Sequence, residues 1–185
     1  MNASELFVKC LEEEGVKHIF GVPGEENQDF LFAIEESSIK FIPTRHEQGA
    51  AFMANVQGRL TGKAGVCLST LGPGATNLLT GIADANLDKA PLVAITGQGS
   101  TKRMHHESHQ MIDVMQIFGK ITKYSTSISR AEIIPEVVRA AFKFAEREKP
   151  GATHIELPED VAKVVVEDDC TVVPKKNVRR STQLS

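Results

Sequence analysis

Apolar and polar positions along this chain alternate between a helical period and short extended runs. Leu6, Val8, Cys10 and Leu11 lie among charged residues, with Asn2 or Ser4 ahead as a cap and Gly15 behind as a stop. That pattern predicts a helix over residues 5–14. Six short runs rich in Val, Ile, Leu and Phe predict strands over 17–22, 39–44, 65–70, 91–96, 121–127 and 153–157. Between them, helices are predicted over 27–36, 50–60, about 75–87, 110–118 and 131–148. In the last of these Ile134, Val137, Val138, Ala141, Phe142 and Ala145 recur at spacings of three and four, and Lys149-Pro150-Gly151 ends it.

Strands that alternate with helices imply a doubly wound α/β fold: a six-stranded, mostly parallel sheet with helices on both faces. Several strands are continuous apolar runs, as expected when both faces are covered. Residues 1–162 read as one domain. After Pro158 the chain turns to mixed valines and acids and then to a polar tail, so residues 163–185 read as a linker toward a further domain.

Composition narrows the classes. Hydrophobic residues make up 41% of the 185, enough for a full core, and the formal net charge of −3 gives no reason to expect nucleic-acid or anionic-membrane binding. The one basic run, 175–180, sits in the polar tail and reads as solvated. No apolar stretch reaches the ~18 residues of a spanning helix, and the first residues lack a signal-peptide pattern. Cys10, Cys67 and Cys170 are odd in number and form no C-x-x-C pair, which points to a reduced, cytoplasmic setting. Cys10 and Cys67 both fall on apolar faces and read as core.

The candidate chemistry gathers at the predicted strand ends. The first strand ends in Gly21-Val22-Pro23-Gly24, the second in Arg45-His46-Glu47-Gln48-Gly49-Ala50, the third in Gly72-Pro73-Gly74-Ala75-Thr76-Asn77, the fourth in Thr96-Gly97-Gln98. In a parallel sheet these turns share one edge, where open α/β sheets hold their ligands, and glycines there let a ligand approach the backbone. Neither a P-loop nor a complete G-x-G-x-x-G is present, and Asp88 precedes its strand instead of ending one, so a dinucleotide site is not expected. By spacing alone Glu47 reads first as an acid favoured at a helix N-terminus.

The order G-V-P-G, R-H-E-Q-G-A, G-P-G-A-T-N, T-G-Q resembles the N-terminal, pyrimidine-binding domain of thiamine diphosphate-dependent enzymes, most of all acetolactate synthase. The resemblance runs from about Asn2 to Asp160. It implies that Glu47 is catalytic: a carboxyl group hydrogen-bonded to N1′ of the aminopyrimidine shifts that ring to the imino form, which can take the proton from the thiazolium C2. Burial raises a carboxylate's pKa and suits it to share that proton. By motif, Val22, Gly24, Pro73 and Asn77 would line the pyrimidine pocket. Otherwise Pro73 is a turn proline and Asn77 a cap.

Gln110 and His109 would face the substrate, pyruvate, two molecules of which would be joined to 2-acetolactate with release of CO2. His109 stands where biosynthetic synthases often carry Phe and leans toward the catabolic type. That choice bears on FAD, which biosynthetic synthases bind mainly through a central domain, so FAD stays open. Mg2+ and the diphosphate would be held by a C-terminal domain with a G-D-G motif, absent from this chain. The chain alone is therefore expected to be inactive, and the active site to be shared across a homodimer or homotetramer. His105, His106, Glu107 and His109 crowd together in a pattern that suits a metal, but no metal is expected there. Two alternatives stand beside the synthase: another thiamine-dependent 2-keto acid or oxalyl-CoA decarboxylase, and a non-catalytic binding or dimerisation module.

Overall fold

The computed structural model describes residues 1–103, 108–167 and 171–175. Its strands are β1 (His18–Gly21), β2 (Lys40–Pro43), β3 (Gly65–Ser69), β4 (Leu92–Gln98), β5 (Tyr124–Ser127) and β6 (Ala152–Pro158). All pair in parallel, in the order β2-β1-β3-β4-β6-β5. The chain moves outward from β1 to β2 and then crosses back to β3 on the other side. The sheet's switch point is therefore the crevice at the carboxyl ends of β1 and β3.

The helices are α1 (Ala3–Glu14), α2 (Gln28–Glu35), α3 (Glu47–Thr61), α4 (Pro73–Leu87), α5 (Val114–Ile121), α6 (Ile134–Glu146) and the single turn α7 (Glu159–Ala162). They form two layers. Alternate residues of the central strands, Val66, Leu68, Val93, Ile95 and Ile155, pack with Leu6, Phe7, Phe30, Val138 and Phe142 of α1, α2 and α6. Their neighbours Cys67, Leu92, Ala94 and Ala152 pack with Ala51, Ala54, Leu78, Ile82 and Phe118 of α3, α4 and α5. Both faces of β3, β4 and β6 are covered: all their residues are buried, and β6 buries Thr153, His154 and Glu156 among its apolar positions.

Local signals hold well at α1. The Asn2 side chain accepts from the Glu5 amide at 2.9 Å while the Glu5 carboxylate accepts from the Asn2 amide at 3.0 Å, a reciprocal cap. Gly15 closes the helix at φ 85°, a conformation that favours glycine. The largest departure from expectation lies at 110–118. The helix there starts at Val114 because the Asp113 carboxylate accepts from the Gln116 amide at 2.9 Å, and Gln110 sits in a turn at φ 59°. Displaced forward, α5 runs to Ile121, and β5 begins only at Tyr124. After β6, residues 164–166 lie along α1. The Ala3 amide donates to the Val164 carbonyl at 2.8 Å, the Val166 amide to Met1 at 3.1 Å, and Asn2 bridges Val165 antiparallel. Cys10 and Cys67 are both buried; Cys170 and residues 176–185 lie outside the described residues.

His154 on β6 is fully buried, between the Thr96 hydroxyl (2.9 Å to Nε2), the Ser125 hydroxyl (2.8 Å to Nδ1) and the Phe118 ring. Burial holds its pKa down to about 3. The folded protein keeps it neutral while the unfolded chain protonates it near pH 6.5, so stability is full above that pH and falls as pH drops from about 6.5 toward 3. The slope is about 1.4 kcal/mol per pH unit. Two residues away, Glu156 acts in the opposite sense. Burial raises its pKa, so its contribution is largest at low pH and fades as pH rises through the folded value. Comparing unfolding free energies at pH 7.5 and 5.0 in wild type and His154→Asn isolates the histidine. We expect wild type to lose about 2 kcal/mol more than the variant over that interval; equal losses would mean that His154 does not govern the acid limb.

Candidate active site

Glu47 is the first residue of α3. His46 caps the helix in an extended conformation, its Nδ1 accepting from the Gln48 amide at 3.1 Å. Position one of a helix has a free backbone N–H and favours an acidic side chain, but here the side chain does not turn to solvent. The residue is only 9% exposed, and its Oε2 accepts from Asn77 Nδ2 of α4 at 3.0 Å. Its Oε1 stands 3.4 Å from where a Cβ on Gly74 would lie, in the first turn of the same helix. Among the described residues Oε1 has no hydrogen-bond partner. A carboxylate thus sits at the switch point with one oxygen held and the other without a partner among the described residues, beside a glycine where a Cβ would crowd Thr70 Cγ2 at 2.8 Å.

Two further turns close on this point. Gly24, in the turn after β1, has no room for a side chain because a Cβ would fall 2.4 Å from Thr70 Cβ. The Thr70 hydroxyl, at the end of β3, donates to Glu26 Oε2 at 2.5 Å. Together these contacts pin the β1 turn to the β3 turn. Gly72 caps α4 at φ 52°, and a Cβ on it would lie 2.2 Å from the Gln110 carbonyl oxygen. The 108–113 segment therefore rests on the backbone at the head of α4. Buried Gln98, at the end of β4, holds it from the other side: its Nε2 donates to Glu156 Oε2 at 3.0 Å and to the Ile112 carbonyl at 3.3 Å.

Of the residues expected at the site, Glu47 and Asn77 touch each other. Gly24 and half-buried Val22 lie in the turn that Thr70 locks, and Gln110 reaches the site's edge through its backbone. Pro73, at the head of α4, and His109 are exposed. His105, His106 and Glu107 lie outside the described residues. Among the described residues no group of three or more His, Cys, Asp or Glu is placed to hold a metal ion, and no helix is long and apolar enough to cross a membrane. Sequence reasoning missed Glu26 and Thr70. Their only trace is a threonine at a strand end and an acid in a Gly-rich turn, 44 residues apart.

Comparison with known proteins gives the family. Residues 1–117 match the family described as thiamine pyrophosphate enzyme, N-terminal TPP binding domain. The chain belongs to this family. A probable acetolactate synthase large subunit of Methanocaldococcus jannaschii is 46% identical over 176 residues, 95% of this chain and 30% of the relative. The acetolactate synthase of Bacillus subtilis is 43% identical over 88% of this chain and 28% of its own length. The catabolic acetolactate synthase of Raoultella terrigena is 41% identical over 86% of this chain and 29% of its own. The chain thus spans under a third of the length of these relatives. Within the family's N-terminal domain, Glu47, Gly74 and Asn77 place a carboxylate oxygen with no partner among the described residues at the sheet's switch point.

Proposed function

We propose that this chain is the pyrimidine-binding part of an acetolactate synthase, which joins two pyruvates to 2-acetolactate and releases CO2. The observation that carries this is the Glu47 carboxylate at the β1/β3 crevice, clamped on Oε2 by Asn77 and open on Oε1. Thiamine diphosphate, when bound, supplies the nucleophilic carbon that attacks a 2-keto acid. The residues present fit its aminopyrimidine: the glycines at 24, 72 and 74 let the turns after β1 and β3 and the 108–113 segment close on one another around Glu47, and Glu47 offers an acceptor that can hold a proton at Oε1. Val22, Gly24, Pro73 and Asn77 shape that pocket, and Gln110 and His109 flank the substrate.

Magnesium and the diphosphate are held elsewhere in the longer protein, so the 185-residue chain alone does not turn over pyruvate. We further propose a homo-oligomer with a shared active site. Phe52, Met53, Val56 and Leu60 stand exposed on α3, the helix that carries Glu47, and Leu60 is 82% exposed; apolar side chains grouped in this way support a protein interface. Three scattered cysteines, with Cys10 and Cys67 buried, suit a cytoplasmic setting.

The test is incubation of the full-length protein with pyruvate, Mg2+ and thiamine diphosphate. Acetolactate is the expected product. CO2 without acetolactate would place the protein among the decarboxylases, and no consumption of pyruvate would favour a binding or dimerisation module.

A further inference from the structure

We infer that Asn77 is a positioning residue: it acts on the cofactor through the Glu47 carboxylate and not by direct contact with the pyrimidine. The inference rests on the proposed role of Glu47. Its basis is the register in which α3 and α4 pack, side by side and in the same direction. At the head of the pair Glu47 meets Gly74 and Asn77. One turn on, a Cβ on Gly81 would lie 2.6 Å from Ala51 Cβ. Further on, Asn55 Nδ2 donates to Asp84 Oδ2 at 2.6 Å, and Arg59 reaches Asp84 at 3.0 Å and Asp88 at 2.6 Å. Residues 77, 81, 84 and 88 thus share the stripe of α4 that faces α3, at the three-and-four spacing of one helix face. Asn77 points along this seam because the seam is closed, by glycine in the middle and by an ion-paired arginine at the far end.

That placement leaves the amide a single partner among the described residues, Glu47 Oε2 at 3.0 Å. A carboxylate only accepts, so the Nδ2 side of the amide must face it. Holding Oε2 as an acceptor assigns any proton carried by the group to Oε1, the oxygen beside Gly74. Asn77 in this way selects both the rotamer of Glu47 and the oxygen presented to the ring.

Calorimetric titration of the full-length protein separates this from direct contact. Two ligands are needed: thiamine diphosphate, and an analogue whose ring carries CH in place of N1′ and so gives Glu47 nothing to bind. Asn77→Ala, a substitution that favours helix, is expected to weaken thiamine diphosphate binding about tenfold, the scale of one hydrogen bond to a charged group. It should leave analogue binding within about twofold. Asn77→Asp, of the same shape but with an acceptor where the donor was, should cost more than Asn77→Ala. The double variant with Glu47→Ala should bind no worse than Glu47→Ala alone, because the two side chains act as one unit. Equal weakening of both ligands by Asn77→Ala, or losses that add in the double variant, would overturn the inference and leave the role of Glu47 standing. If Glu47→Ala itself weakened both ligands equally, both the role of Glu47 and the inference would fall.

Discussion

Replacing Glu47 by Gln in the full-length protein is expected to lower acetolactate formation by at least ~10²-fold while leaving the fold intact. Gln keeps the length and shape of Glu, and its amide oxygen can still accept from Asn77 Nδ2, so the seam between α3 and α4 persists. What disappears is an oxygen that can take and return a proton. The effect on stability is small by comparison. A carboxylate in the first turn of a helix is worth about 0.3–1 kcal/mol, while a 10²-fold rate loss corresponds to about 2.7 kcal/mol. Thermal unfolding and turnover measured on the same preparation therefore separate the roles. An activity within about threefold of wild type would remove Glu47 from the chemistry. A large drop in both activity and melting temperature would make it a structural group.

Gly58→Val is expected to give the largest loss of stability among single substitutions in α3. Gly58 is buried, and a Cβ there would stand 2.2 Å from the carbonyl oxygen of Pro91, a backbone atom at the entry to β4. Gly65 makes the complementary approach, where a Cβ would lie 2.0 Å from the Ala54 carbonyl oxygen. These two positions let α3 lie directly on the sheet. A side chain at 58 must lift the helix, and overpacking of this kind costs about 1–3 kcal/mol or more. The helix carries Glu47, so the same displacement opens the contact with Asn77. For a chain of this length we expect a fall in melting temperature of roughly 2–12 °C. Gly49→Ala is the control on the same helix. Nothing lies within 4 Å of a Cβ there, so helix propensity decides the sign and stability rises by up to about 1 kcal/mol. If Gly58→Val melted like wild type, the close approach of α3 to the sheet would be wrong.

The site was legible as a set of residues but not as a geometry. Glu47, Pro73, Asn77 and the glycines could be read off because a parallel sheet brings the ends of its strands to one edge. That Asn77 grips Glu47 could not, because the contact spans 30 residues and depends on how two helices pack. The same holds for Thr70 and Glu26, and for Gln98, whose two bonds reach β6 and the 108–113 segment. Nothing in the local sequence of either partner specifies the other.

By itself the sequence determined the elements whose causes are local. Short strand-forming runs became β3, β4 and β6, and the Asn2–Glu5 box with Gly15 set both ends of α1. The position of Glu47 between a strand and a helix also followed from neighbours in the chain. Tertiary structure decided the strand order β2-β1-β3-β4-β6-β5, the start of α5 at Val114 and the docking of residues 164–166 on α1. Each of these is selected by burial and hydrogen bonds between segments far apart in the chain. Propensity and period report only on residues within a turn or two of one another.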